Sequence, residues 1–233
     1  MADYELLYWS VPFRGQFVRA VLAFAGKAWT EGGDAKISRL MQGPVQDMPV
    51  PFMGPPVLID HVAGVAVSQM PAITLYLGET LDLMPDTPAR RAATIKIVND
   101  ANDVIDEITL NGGDHMWTEK RWVEFRPRLA KWMSIWEDTG RRNGLDLDTG
   151  YILGGGAPGI ADLITATLWS TMTERFSKIR DLFDETAPMT AALCHRVSSL
   201  PPLLALAEKA RNDYGQAYAG GQIGASMDKI LNG

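Results

Sequence analysis

Strand-like segments are confined to the start of this chain, and that asymmetry restricts its fold more than any single motif does. Residues Tyr4 to Trp9 are rich in Leu, Tyr and Trp and read as a strand. A turn around Val11-Pro12 leads into a helix with Phe17, Val18, Val21, Leu22 and Ala25 on one stripe, and Gly26 suits the left-handed residue that ends it. Lys27 to Met53 carries scattered Gly and Pro and supports at most a short helix near Lys36 to Met41. Val57-Leu58-Ile59 and Val65-Ala66-Val67 then read as a hairpin around the turn Asp60 to Gly64. A helix comes next. Ser68 or Gln69 precedes it, Pro71 sits in its first turn, where a missing N–H does little harm, and Ile73, Leu77 and Leu81 give its apolar stripe.

Beyond Leu83-Met84-Pro85-Asp86 no strand-like run appears, and the rest of the chain reads as helical. Thr87-Pro88 is an N-cap with Pro at the first position, and Ile95, Val98, Asn102 and Ile105 come after it at helical spacing. Thr118 caps another helix whose core stripe is Trp122, Phe125, Leu129, Trp132, Met133 and Trp136, with Pro127 kinking it or sitting in a late first turn. A Gly-rich loop, Gly154 to Gly159, precedes Ile160-Ala161-Asp162, and one more helix starts after Pro201-Pro202. The expected architecture is a small mixed α/β unit over residues 1–84 and an all-helical unit over 88–233.

Composition narrows the function. The 233 residues are 46% hydrophobic, ample for a buried core. A net charge of -6 speaks against a nucleic-acid partner, so a bound anion must be held by local geometry. The single cysteine, Cys194, has no partner for an internal disulfide and reads as a small core residue on a helix. His61, His115 and His195 lie far apart with no ligand spacing, so no metal site is expected. The glycine loop does not lead into Lys-Ser/Thr and does not come after a strand, which removes a nucleotide reading. No apolar run approaches the length of a membrane span, and the start Met1-Ala2-Asp3-Tyr4-Glu5 lacks the cationic region of a signal peptide. The expectation is a cytoplasmic protein without membrane contact.

Four motifs occur in a fixed order: Tyr8-Trp9-Ser10-Val11-Pro12-Phe13-Arg14 with Arg19 behind it, Pro56-Val57-Leu58, Gln69-Met70-Pro71-Ala72-Ile73, and Gly154 through Asp162. In order and spacing they resemble the cytosolic glutathione transferase family, in its tyrosine-type classes (alpha, mu, pi and sigma) and in a bacterial-style member. Val98 to Asp103 is similar to the fourth helix of the pi class. The resemblance implies a thioredoxin-like N-terminal domain that binds glutathione, an all-α C-terminal domain that forms the acceptor pocket, and a homodimer. It also implies the reaction, attack of glutathione thiolate on an apolar electrophilic small molecule, with glutathione as co-substrate and no metal.

That chemistry needs a thiol held ionised at neutral pH, because the thiolate is the nucleophile. By the resemblance, Tyr8 matches the hydroxyl donor to the sulfur and Arg14 the guanidinium that adds positive potential. Serine-type members place their hydroxyl where Gly15 stands, and Ser10 in the turn is the other hydroxyl nearby. Pro56 matches the proline that opens the third strand in cis. Gln69 and the backbone of Met70 match the helix start that holds the glutamyl end of glutathione, and Asp103, or Asp100 with a one-residue shift, matches the acid reaching across the dimer. Phe52 matches the aromatic that plugs the partner subunit. Val11, Phe13, Met116 and Trp117 are the acceptor-pocket candidates.

Several residues depart from the family pattern. Pro55 has no N–H to give the cysteinyl unit, Gly54 replaces a frequent glutamine, and Met70 replaces a hydroxyl. Gln42 to Asp47 carries no cation for the glycyl carboxylate, leaving Lys36 or Arg39 as substitutes, and Gly159 replaces a capping Ser or Thr. Pro55, Gly54 and Met70 keep a second reading open: a non-catalytic protein on this fold that holds a hydrophobic ligand or a protein partner.

Overall fold

The computed structural model describes residues 2–232. Four short strands, β1 (Tyr4–Leu7), β2 (Trp29–Glu31), β3 (Val57–Asp60) and β4 (Val65–Ser68), form one sheet in the order β2-β1-β3-β4. β1 and β2 are parallel, and the other two pairings are antiparallel. Side chains alternate across this sheet as the period of two requires. Leu6 and Leu58 join the core with α1 (Phe13–Phe24) and α3 (Met70–Thr80), whereas Leu7 and Val57 face Ile37 of α2 (Asp34–Gln42). β2 escaped the sequence pattern because only three residues pair, with Thr30 and Glu31 exposed on the edge. No apolar alternation marks it.

The hairpin turn is tied by Asp60, a buried carboxylate. Its Oδ1 accepts from Val62 N–H at 2.9 Å and Ala63 N–H at 2.8 Å, and its Oδ2 accepts from the Tyr76 hydroxyl at 2.8 Å. Strand register then gathers three loop ends. Leu7 pairs with Val57, and Val57 with Ser68, so Tyr8, Pro56 and Gln69 arrive at the same end of the sheet.

From Pro88 onward the described residues form helices and connecting loops: α4 (Pro88–Ile108), α5 (Leu110–Gly113), α6 (Glu119–Arg142), α7 (Ile160–Arg175), α8 (Ser177–Thr186), α9 (Pro188–Ser198), α10 (Pro201–Tyr214) and α11 (Gly221–Leu231). Thr87 caps α4 and Thr118 caps α6, as their sequence positions predict. Ile95, expected on the buried stripe of α4, is 41% exposed; the buried face runs through Ile97, Val98, Ala101, Val104, Ile105 and Ile108. In α6 the stripe falls into a buried line, Trp122, Leu129, Met133 and Trp136, flanked by half-buried Phe125 and Trp132. Pro127 lies within this helix, beyond its first turn. Cys194 is buried in α9, and burial pushes its thiol up.

α7 is central and hydrophobic on nearly all sides, and the loop before it is clasped by one carboxylate. Asp162 accepts from Ile152 N–H at 2.8 Å and from Gly159 N–H at 2.9 Å. Burial pushes its carboxyl up to about 6 despite these bonds. Gly159 has a reason of its own. A Cβ there would stand 2.9 Å from the Leu83 carbonyl oxygen, and that carbonyl accepts from Ile160 N–H at 3.1 Å. The missing side chain lets the connection between α3 and α4 dock on the start of α7.

Candidate active site

The first wall of the site is the stretch from Tyr8 to Gly15. The Tyr8 ring is buried, and its hydroxyl accepts from Arg14 N–H at 3.0 Å, which leaves the phenolic proton free to be given to an anion. Gly15 is the condition for this placement: a Cβ there would fall 2.3 Å from the Tyr8 ring atom Cδ1. Behind the ring, the buried Arg19 guanidinium lies 5.7 Å from the Tyr8 centroid and 5.2 Å from that of Tyr214. Arg19 also donates to Val11 C=O at 3.0 Å and grips both Glu31 oxygens, at 2.8 and 3.0 Å. Burial pushes the Tyr8 phenol up to about 12, with the Arg14 and Arg19 charges pulling the other way. At neutral pH Tyr8 is therefore a proton donor.

Arg14 bridges to the helical part. Its guanidinium lies 4.9 Å from the Phe13 ring centroid, donates from Nε to Asn102 Oδ1 at 3.2 Å, and forms an ion pair with Asp106. Neither α4 partner stood out by motif. Asn102 was visible only as a polar side chain on an apolar stripe, and Asp106 lies one turn beyond Asp103. Asp103 itself is exposed, and its carboxyl is raised by desolvation and then by Asp100, Asp106 and Glu107. Asp100 is paired with Lys96 along the helix.

The second wall runs from Gly54 to Met70. The Pro55-Pro56 bond is cis, and Pro56 C=O accepts from Gln69 N–H at 3.2 Å. Gln69 is exposed with φ 76°, so the chain enters α3 with that side chain turned outward. Met70 does the reverse and is wholly buried in the main core. Its thioether fills space between sheet and helices, while the start of α3 stays at the sheet end beside Pro56. Phe52 is buried against Leu7, Ile37 and Val57 of its own chain; the neighbouring Met53 is 90% exposed. Lys36 is engaged by Glu5 at 2.5 Å, and Arg39 is exposed.

Between the first wall and the helices lies a cavity of about 400 Å³. Tyr8, Ser10, Val11, Phe13 and Arg14 line one side; Thr109, Ala219, Gly220 and Ile223 line the other. Val11 and Phe13, the expected acceptor-pocket residues, are among those lining it. Met116 and Trp117 are not among the lining residues. Trp117 is buried against Trp122 and Phe125, its Nε1 donating to Ile108 C=O at 2.9 Å and its N–H to Ser226 Oγ at 3.2 Å, so it anchors α11. Ser10 is exposed, and both its N–H and its hydroxyl donate to Asp34 Oδ1, at 2.8 and 3.0 Å. The residues from the loop before α11 and from α11 carry no pattern that sequence reasoning could find. Among the described residues no group of three His, Cys, Asp or Glu side chains is placed to hold a metal ion, and no helix is long and apolar enough to cross a membrane. Chemically, a protonated phenol and a guanidinium at one cavity wall can stabilise an anion, and the apolar side chains opposite can hold a hydrophobic group beside it.

Comparison with known proteins adds a lineage. Residues 93–230 match a family model described as glutathione S-transferase, C-terminal domain. No curated protein matches the sequence. Among solved structures, NaGST-2 superposes with a TM-score of 0.71 at 25% identity, over 89% of this chain and 97% of that one. A Nu-class GST from Haemonchus contortus gives 0.69 at 24% identity, over 90% and 98% of the two chains. Na-GST-3 from the human hookworm Necator americanus, described as monomeric, gives 0.71 at 22% identity, over 89% and 97%.

Proposed function

The chain belongs to the glutathione S-transferase family and has its fold, and on that premise we propose that it is a tyrosine-type glutathione transferase acting on an apolar electrophile. One observation carries the reading: Tyr8 is a buried, protonated phenol whose oxygen is already anchored by Arg14 N–H and whose face borders a cavity. The glutathione thiol loses its proton to solvent, and the phenol, which stays protonated, donates a hydrogen bond to the sulfur and holds it as thiolate. The sulfur electron pair then forms a bond to an electrophilic carbon held near Val11, Phe13 and Ile223. The displaced group leaves with its own electron pair, or, in an addition, the acceptor takes up a proton.

In this reading residues 1–84 bind glutathione and 88–233 shape the acceptor pocket. The start of α3 receives the glutamyl carboxylate on backbone N–H groups, Gln69 reaches its amino-acid end, and Pro55 offers its carbonyl to the cysteinyl unit. Asp103 of a second copy meets the glutamyl amine; its raised carboxyl, in a row of acids on α4, marks a place where an added cation is favoured. The homodimer this requires presents Met53, not Phe52, from the loop before β3. A cytoplasmic location fits a thiol co-substrate. The loss of the Pro55 N–H and of a hydroxyl at Met70 favours a second reading, a non-catalytic protein on the same fold.

Retention on glutathione-agarose and then conjugation of glutathione to an activated aryl chloride decide between them. Retention with turnover supports the transferase; retention or aryl binding without turnover supports the binding protein. Sedimentation tests assembly, with a dimer of about twice 25.6 kDa expected and a monomer across micromolar concentrations removing Asp103 and Met53 from the site.

A further inference from the structure

The charges around the cavity at Tyr8 do not cancel. Arg14 and Asp34 are the charged side chains that line it. Arg14 is occupied, since Asp106 pairs with its guanidinium and Asn102 accepts from its Nε. Asp34 is in another position. It opens α2 behind Gly33, whose φ of 75° turns the chain into the helix, and it is exposed, so it stands at the open edge of the cavity. The first turn of a helix favours a carboxylate. Ser10 fixes the group from the neighbouring turn, its N–H and its hydroxyl both donating to Asp34 Oδ1 at 2.8 and 3.0 Å. Among the described residues no group donates to Oδ2 and no cation pairs with Asp34; Lys36, on the same helix, is engaged by Glu5.

A carboxylate oxygen is therefore fixed at the mouth of the cavity with its capacity to accept unused. The lining beside it is apolar and aromatic, with Trp9, Val11 and Phe13 on one side and Ala219 and Ile223 on the other. A carboxylate next to aromatic side chains suits a cation on an apolar body. Coulomb attraction draws the charge to the acid, and an aromatic face accepts an ammonium group that water would otherwise hold. The same arrangement disfavours an anion.

We propose that Asp34 determines acceptor specificity: the apolar electrophile preferred by this cavity carries an ammonium group, which meets Asp34 Oδ2 while its body packs on Val11, Phe13 and Ile223. The reaction that comes next rests on the transferase reading, in which the thiolate sulfur bonds to the electrophilic carbon and the leaving group departs with its electron pair. Capture of the cation is a matter of binding alone.

The probes are chloronitrobenzamides, with chlorine para to the amide and the nitro group ortho to chlorine, that differ only in the amide tail. One tail is trimethylammonioethyl, one is the uncharged dimethylbutyl group of the same shape, and one is sulfonatoethyl. Conjugation to glutathione with release of chloride is followed by absorbance, and binding of each probe without glutathione by titration calorimetry. In the wild type the ammonium probe should exceed its uncharged isostere in kcat/KM by about 5-fold, and the sulfonate should fall below it by a similar factor. Both gaps should close as salt is added, because an exposed charge is screened. In Asp34→Asn, which keeps Oδ1 for Ser10 and removes the charge, the ratio of ammonium to uncharged probe should fall to about one. A carboxylate that only braced the turn would move both probes together and leave the ratio alone. Equal kcat/KM for the probes in the wild type, or a ratio that survives Asp34→Asn, overturns the proposal and leaves the transferase reading standing. Salt-sensitive, Asp34-dependent binding of the ammonium probe without turnover supports the ammonium site and overturns the transferase reading. Absence of both turnover and charge-selective binding overturns the two together.

Discussion

Tyr8 to Gly15 and Gly54 to Met70 meet at one end of the same sheet, yet they are held in different ways. In the first stretch side chains lock one another. Tyr8 needs the hydrogen of Gly15 and the N–H of Arg14, the Arg19 guanidinium ties down the turn, and Asn102 and Asp106 hold Arg14 from across the molecule. In the second the backbone sets the geometry through Pro56 and Gln69, while Gln69 points outward and Met70 packs inward. Side chains of the first stretch are therefore constrained by one another at the cavity, whereas in the second Met70 is constrained by the core beneath it and Gln69 is not. A departure from a family pattern bears on the cavity in the first stretch and on the core in the second.

The sharpest way to break this comparison is Tyr8→Phe. Loss of the donor should cut glutathione turnover by roughly 10- to 1000-fold with an unchanged unfolding midpoint. The acidic limb of kcat/KM against pH should move upward, because the bound thiol returns toward its free value near about 8.5. Ser10→Ala, whose hydroxyl is occupied by Asp34, should change little. If Ser10→Ala abolishes turnover and Tyr8→Phe does not, the assignment of the first stretch is wrong.

Met70→Ser tests the second stretch and should read out in stability. Replacing a wholly buried thioether with a small polar group should cost about 2–5 kcal/mol in denaturant unfolding. Any tighter glutathione binding in the surviving fold would show the new hydroxyl facing the ligand, against the inward packing of the methionine. A full restoration of family residues at this helix start therefore conflicts with the core beneath it.

A third measurement separates stability from chemistry by pH. The Asp162 carboxyl sits near 6 in the folded chain, above its unfolded value near about 3.9. A group raised in this way contributes stability that is fully present below about pH 4 and lost as pH rises through about 6, some 3 kcal/mol in all. Unfolding free energies from pH 4 to 7 should carry this slope in the wild type and not in Asp162→Asn. The same slope in both proteins would place the titration elsewhere. The smallest effect is expected at the exposed Gln69, where Gln69→Ala should raise the KM for glutathione no more than about 5-fold and leave kcat within two-fold or so.

Much of the fold could be read in advance because long apolar stripes and caps speak locally. Thr87, Thr118 and the stripe from Trp122 to Trp136 are of this kind. β2 could not, since three edge residues bury too little to leave a pattern. Of the residues that line the cavity at Tyr8, Tyr8, Arg14, Val11 and Phe13 stood out in the sequence through the resemblance of one short motif to the family. Asn102, Asp106 and Ile223 did not, since each comes from a distant helix and is chosen by position. Trp117 and Phe52 are harder to read in advance. Large aromatics near a site suggest contact with a ligand or partner, and the packing each finds within its own chain leaves no local pattern.

The closeness of Gly15 to the Tyr8 ring limits how such a site can change over generations. A serine at that position would bring its Cβ within 2.3 Å of the ring, so, on the proposed tyrosine-type reading, the phenol and a serine hydroxyl at position 15 exclude each other here. A lineage starting from this chain cannot test the serine arrangement while keeping the tyrosine in place as insurance. It has to pass through a glycine with no aromatic neighbour, or through a displaced ring, and either intermediate lacks the donor. Two viable designs are separated by a valley one atom wide.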